Sequence, residues 1–349
     1  MKKILLLIPI IAATVLSCAT QDDPGSGALK AEALAAYMQK YHPDAVKTAL
    51  GAYIYQNDEI PGTGSELGSE AYVRMHYTIT DRNGSFRSTT VDTLAKKNNI
   101  YSEFNYYGPV VRYRGNNSLT AGLEQVLSGE GTPLGPMKMG GTRKALIPGW
   151  LFSMDTHKTE AGYYDNESGS EAVYTISLVE AFDDEEAWEK DSLARYIQAN
   201  MPEAVEDTLV AGIASKGGWY YAVTKAVEDT APLASDSTVY CNYILRDLAG
   251  RIIDTNIEKV ARDYDLYTSS ATYSPQKINW NSDYTKITMS TSESDVVDGF
   301  ANAFLHMHQF ESGSAVFWSY LGYYATGSGN KVPAYCPLRF DIELVQKPD

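Results

Sequence analysis

The side chains that most often carry chemistry are few in this sequence and badly spaced for it. His306-Met-His308 offers two imidazoles, but positions two apart on a helix do not share a face, so the pair reads as core or surface histidines rather than metal ligands. Neither a Gly-x-Ser-x-Gly elbow nor a His-Glu-x-x-His helix occurs, which removes the commonest hydrolase signatures. Gly140-Gly141 lacks the Gly-Lys-Ser/Thr ending of a phosphate-cradling loop. Cys18, Cys241 and Cys336 are too few for a disulfide scaffold and lack the paired short spacing of a zinc site. No metal or cofactor is implied. What is abundant is aromatic: 26 tyrosines against 9 phenylalanines, which suits strands with half-wet surfaces. The chain has 349 residues, of which 44% are hydrophobic and 21% charged, an ordinary globular composition. Its net charge of −15, without a run of Lys or Arg beyond adjacent pairs, gives no electrostatic footprint for a phosphate backbone and argues against a nucleic-acid partner.

The elements that hold these side chains repeat. Leu34-Ala-Ala-Tyr37-Met-Gln39 through Pro43-Asp-Ala45-Val46 lines up with Leu193-Ala-Arg-Tyr196-Ile-Gln198 through Pro202-Glu-Ala204-Val205 at a constant step of 159. Farther on, Val73 to Tyr77, Ser88-Thr89 and Leu94 to Tyr101 match Val239 to Tyr243, Asp254-Thr255 and Val260 to Tyr267 at a step of 166. Two copies of one unit therefore follow each other, with Asp183-Asp184-Glu185-Glu186 as the acidic junction. Each opens on a three-four apolar spacing that predicts an amphipathic helix, ended by Pro43 or Pro202. Alternating runs follow at Tyr72 to Ile79 and Ser237 to Leu245, each leading to a glycine turn, at Asn83-Gly84 and Ala249-Gly250. One apolar helical segment interrupts the strands, at Leu119 to Leu127 and at Val296 to Met307, and Ala172 to Leu178 and Leu338 to Leu344 close the copies. The expected class is α+β: an antiparallel sheet wrapped around a short helix, built twice, each copy preceded by its own helix.

The second copy resembles an FKBP-type peptidyl-prolyl isomerase domain. Four blocks carry the resemblance: Val239-Tyr-Cys-Asn-Tyr243, Gly250-Arg-Ile-Ile253-Asp254-Thr255, Val296-Val297-Asp-Gly299-Phe300, and Leu321-Gly-Tyr323 with Val332-Pro333 and Leu338-Arg-Phe340-Asp-Ile-Glu-Leu344. Rotating a peptide bond opposes a barrier of about 18–20 kcal/mol without making any bond, so such a catalyst needs a dry pocket that favours the twisted amide. The resemblance implies that a proline ring sits on Phe300 between Tyr243 and Phe340. It implies that Tyr323 donates its hydroxyl to one substrate carbonyl, that the Val297 N–H binds another beside Val296, and that Asp254 approaches the twisting carbonyl carbon. Ile253 and Phe300 stand where the family has Phe and Trp, so the box is less aromatic. Taken singly, Phe300 and Phe340 fit core packing equally well.

The first copy resembles the family through Met137-x-x-Gly140-Gly141-x-Arg143 and Ile147-Pro148. Its Arg87-Ser88, Gly122-Leu123 and Ser153 remove the acid, the helix-start aromatic and the loop Tyr, and place an Arg in an apolar pocket position, so it is expected to be non-catalytic. Residues 1–17 read as an export signal, with Lys2-Lys3, an apolar run from Ile4 to Val15, and Ser17-Cys18 resembling a lipobox that lipidates Cys18. Gln21-Asp22-Asp23 resembles the acidic export tag of surface lipoproteins of the Bacteroidetes, and the duplication resembles their tandem FKBP-like lipoproteins. The expected organisation is a signal at 1–17, a flexible tether at 18–28, a non-catalytic unit at 29–182 and a candidate isomerase at 183–349. The expected protein is an exported lipoprotein of the outer membrane, on its periplasmic side or at the cell surface. It would isomerise X-Pro bonds in proline-containing peptides or unfolded exported proteins; the alternative is a non-catalytic peptide or protein binding module. Cys241 and Cys336 fall in or beside strands of one copy, as a bridged pair or as two small buried thiols.

Overall fold

A computed structural model describes residues 25–68, 71–116, 118–166, 170–208, 217–234, 237–289 and 294–348. The signal segment, Cys18 and the start of the tether lie outside them. Helix α1 (Gly25–Tyr41) forms because Ala31, Leu34 and Met38 repeat at three- and four-residue steps and bury one stripe, and it stops short of Pro43. It begins inside the stretch expected as tether, since burial of that stripe outweighs the turn preference of Gly25-Ser-Gly27.

The first half continues through β1 (Ala45–Lys47), β2 (Tyr53–Tyr55), β3 (Tyr72–Thr80), β4 (Phe86–Thr89), α2 (Asp92–Lys97), β5 (Val110–Tyr113), α3 (Ala121–Ser128), β6 (Thr142–Ile147) and β7 (Ala172–Phe182). Its seven-stranded sheet runs β1-β2-β6-β7-β3-β4, with β5 also on β3. Helix α4 (Glu185–Asn200) opens the second half, capped by the Asp184 carboxylate, which accepts the Ala187 N–H at 2.9 Å. The expected acidic junction is therefore largely the cap and first turn of a helix, where carboxylates suit the helix dipole. After it come β8 (Val205–Glu206), β9 (Trp219–Lys225), β10 (Thr238–Asp247), β11 (Ile252–Thr255), α5 (Glu258–Asp263), β12 (Gln276–Asn279), β13 (Thr288–Met289), β14 (Ser294–Asp295), α6 (Asp298–His306), β15 (Ser312–Phe317) and β16 (Leu338–Val345). The nine-stranded sheet runs β14-β13-β12-β10-β16-β15-β9-β8, with β11 on β10. The protein is thus a mixture of helix and antiparallel sheet.

The 166-residue step recurs in the pairing. Tyr77 faces Ile176 as Tyr243 faces Ile342, and Ile79 faces Ser88 as Leu245 faces Asp254. Both β3–β4 and β10–β11 then slip by one residue, and the residue left over in the bulge is Arg87 in one and Ile253 in the other. Ile253 joins the core, whereas Arg87 is exposed and reaches Ser170 Oγ at 3.4 Å. Arg87 thus lines a cleft with Tyr77 and Ser88 while its charge stays in solvent, at the bulge position where the second half buries an apolar side chain.

Each sheet has its own core, one drawn from Ala31 to Ala181 and the other from Leu193 to Leu344. Phe104, from the loop ahead of β5, packs onto a smaller cluster of Ile252, Ala261 and Leu266. In the same stretch the Tyr106 N–H donates to the Asn330 carbonyl at 2.7 Å, joining the two halves. Cys241 is buried and Cys336 half-buried, and both are free thiols.

Helix α6 lies so close to β15 that a Cβ at Gly299 would overlap the Phe317 ring, as one at Gly122 would overlap Ile147 under α3. Gly299→Ala is expected to lower stability by about 1–3 kcal/mol through this overpacking. An unchanged urea midpoint would show that the close approach is not required.

Candidate functional site

Three elements bring the expected site residues of the second half together. Strand β10 presents Tyr243 and β16 presents Phe340, on strands paired from Tyr240↔Val345 to Asp247↔Leu338. Helix α6 presents Phe300, and two indoles fix its ends: Trp219 Nε1 donates to the Gly299 carbonyl at 2.8 Å and Trp280 Nε1 to the Phe304 carbonyl at 3.1 Å. Ring centroids stand 4.6 Å apart for Phe300 and Phe340, 5.9 Å for Tyr243 and Phe300, and 6.0 Å for Tyr243 and Phe340. These are separations at which aromatic rings attract.

A polar rim borders this apolar floor. The Tyr243 hydroxyl donates to Asp254 Oδ2 at 2.8 Å. Burial, reinforced by the Asp254 charge, pushes the Tyr243 phenol far up, and the same two causes raise Tyr323. Val296, Val297, Tyr243 and Tyr323 are half-buried against the core, while Ile253 is buried within it. Val297 caps α6, where the first N–H groups of a helix have no acceptor inside it. Phe300 is 2% exposed and Phe340 6%, so the floor is closely packed. The cluster pairs no nucleophile with a base. It is an apolar surface beside one carboxylate and two phenols, suited to holding a nonpolar ring and hydrogen-bonding what flanks it.

The corresponding place in the first half keeps Tyr77 and Tyr174, 6.3 Å apart, with Phe152 against Tyr174. Ser88 replaces the acid, Leu123 lies at the helix start, and the buried Ser153 accepts the Asp155 N–H through its hydroxyl. Arg143 is buried, ion-paired to Glu59 at 2.7 Å, and donates to the Val126 and Gly135 carbonyls, a structural use of its motif. His306 meets Asp207 and His308 meets Glu311, each at 2.9 Å, as separate pairs. Among the described residues no cluster of three or more His, Cys, Asp or Glu is placed to hold a metal.

Sequence reasoning missed Glu189. It lies on the inward stripe of α4 with Leu193 and Ile197, and a lone carboxylate at that four-residue step was the available signal. Glu189 is fully buried and accepts from the Ser319 N–H at 2.7 Å and from its hydroxyl at 2.6 Å.

No protein-family model and no curated protein sequence matches the chain. Among solved structures it is similar to the three FKBP domains of wheat FKBP73, at 12% identity over 84% of this chain and 93% of that one, with a TM-score of 0.29. FkpA from Escherichia coli shares 18% identity over 46% of this chain and 60% of its own, with a TM-score of 0.32. A peptidyl-prolyl cis-trans isomerase from Pseudomonas syringae pv. tomato shares 18% over 47% and 97%, with a TM-score of 0.30. These similarities are slight in both sequence and superposition.

Burial pushes the Glu189 carboxyl up to about 7, with the Ser319 donors opposing and the Glu185 charge adding to the rise. The folded state therefore holds this proton more tightly than the unfolded chain. Its contribution to stability is complete below the ordinary carboxyl value of 4.5, falls as pH rises from there, and is gone above about 7. Glu189→Gln carries no such penalty, so its stability relative to wild type should grow by on the order of 2–3 kcal/mol between about pH 4.5 and about pH 8. Denaturation curves whose difference does not change with pH would contradict the buried-carboxyl account.

Proposed function

We propose that the second half is an FKBP-like prolyl isomerase domain, following a first FKBP-like copy that has lost the reaction. The observation that carries this reading is the joining of the Phe300, Phe340 and Tyr243 rings with the Tyr243–Asp254 hydrogen bond at one face of one sheet. A proline ring placed against Phe300 would leave its preceding carbonyl facing Asp254. The Tyr323 hydroxyl and the Val297 N–H would hold the flanking carbonyls. A pocket of this kind works by excluding water and fitting the twisted amide better than either planar form, and it needs no covalent step.

One observation favours a second reading, a binding module without turnover. Phe300 and Phe340 expose little surface, and Ile253 packs into the core where the family has an aromatic wall. Contact with so little surface would bind a peptide without gripping the twist.

The address written in the first residues completes the proposal: export, lipidation at Cys18, and service as a folding helper for exported clients at the outer membrane. Stable attachment by acyl chains requires more than one. Among the described residues no helix is long and apolar enough to cross a membrane.

The test is catalysed isomerisation of an X-Pro peptide by the full chain. Phe340→Ala is expected to reduce the rate at least tenfold by wetting the pocket, and Asp254→Ala to reduce it with the fold retained. Ser88→Ala, in the first half, is expected to leave it unchanged. Peptide binding with no turnover by the wild type would move the assignment to the second reading, and neither binding nor turnover would remove both.

A further inference from the structure

We propose that helix α4 acts as a two-carboxylate clamp that sets the place of Tyr323, with Glu189 and Glu185 as positioning residues. The proposal rests on reading the second half as the isomerase site. Glu185 and Glu189 are four residues apart and so lie on one face of the helix, one above the other. Glu189 spends both oxygens on Ser319, one on its N–H and one on its hydroxyl. The Ser319 carbonyl in turn accepts the N–H groups of Gly322 and Tyr324, each at 2.8 Å. Those are the two neighbours of Tyr323. The turn that carries the phenol is thus wrapped around a residue whose N–H, carbonyl and hydroxyl are all engaged, two of the three by Glu189.

The second carboxylate holds the residue that follows Tyr323. Glu185 Oε1 accepts the Tyr324 hydroxyl at 2.6 Å. Tyr324 stands at φ +39°, a left-handed conformation that a bulky residue holds only when its surroundings impose it. The Tyr323 carbonyl accepts the N–H groups of Thr326 and Gly327 at 3.2 and 3.0 Å, closing the loop behind it. A helix that merely packed here would gain more from leucine than from a buried carboxylate, whose desolvation is costly unless it is fully hydrogen-bonded. The raised Glu189 carboxyl reflects that cost.

The clamp also reaches the first half. Burial, helped by the Glu185 charge, raises the Tyr72 phenol on β3, and the Tyr72 ring stands edge-on to Tyr335 at 5.4 Å. The Tyr335 N–H donates to the Tyr324 carbonyl at 2.8 Å. Glu185 therefore holds the loop that bears Tyr323 where that loop meets β3, a central strand of the copy that lacks the site. This gives that copy a role in holding the candidate pocket.

Amide hydrogen exchange on the full chain tests the clamp, with isomerisation kinetics alongside. In Glu189→Ala the Gly322 and Tyr324 amides should exchange at least tenfold faster while those of β10 and β16 stay protected. Glu189→Gln, which keeps an acceptor for the Ser319 N–H, should restore them. KM for an X-Pro peptide should rise at least threefold with kcat within about twofold, because a hydroxyl that binds a carbonyl holds substrate and transition state alike. Unchanged exchange at Gly322 and Tyr324 in Glu189→Ala overturns the proposal. Should that variant fail to fold, Tyr324→Phe removes only the hydroxyl that Glu185 holds. It should then speed exchange at Gly322 and Thr326 at least threefold, and unchanged exchange there overturns the proposal equally. A wild type without isomerase activity defeats the isomerase reading alone, since the exchange arm still decides the clamp.

Discussion

The register of β10 against β16 is the constraint on which the rest of the second half depends. Side chains alternate along a strand, so one residue of slip would send Cys241, Tyr243 and Leu245, or their partners Leu344, Ile342 and Phe340, to the wrong face. In the observed register these residues build one apolar surface, and α6 lies on it at the distance Gly299 allows. Tyr243 and Phe340 meet Phe300 because of that docking. Asp254 then falls beside Tyr243 because β11 pairs with the far side of β10. The site is thus a by-product of core packing to which a carboxylate and two phenols have been added at the edge.

The two halves show how little must change to lose that edge. Their central pairs share a register, and both bulge at the same place. In the second, the bulge turns Ile253 inward and Asp254 meets the tyrosine; in the first, Arg87 swings to solvent and Ser88 offers no charge. Packing sets the frame in both, and four or five side chains decide what the frame can do. The joined halves share a junction of Glu185, Tyr72, Tyr324 and Tyr335, so the copy without the acid still contacts the loop of the copy with it.

Much of this was legible in the chain. Periodicity and the closing prolines located α1 and α4, and alternation located β3, β10, β7 and β16, because each buries one face and its sequence must obey the period of that face. The step of 166 recurs in the strand pairing because the residues it aligns occupy matching positions in the two sheets. Short strands such as β1 and β8 were not legible, since two or three residues carry no period. The direction of Arg87 was hidden as well, because a bulge breaks the alternation from which direction is read. Glu189 was hidden for a different reason: an acidic residue on a helix is normally solvated, and only the loop that returns from Ser319, 130 positions later, supplies its donors.

The central claim is that a proline-containing peptide meets this chain at the Phe300 floor of the second half and not at the matching place in the first. Mapping backbone amide shifts of the labelled full chain while such a peptide is added tests it most directly. The account predicts that Val297, Phe300, Asp254 and Tyr323 shift together and saturably, while Tyr77, Ser88, Leu123 and Ser153 stay still. Shifts confined to the first half, or spread over both alike, would contradict it.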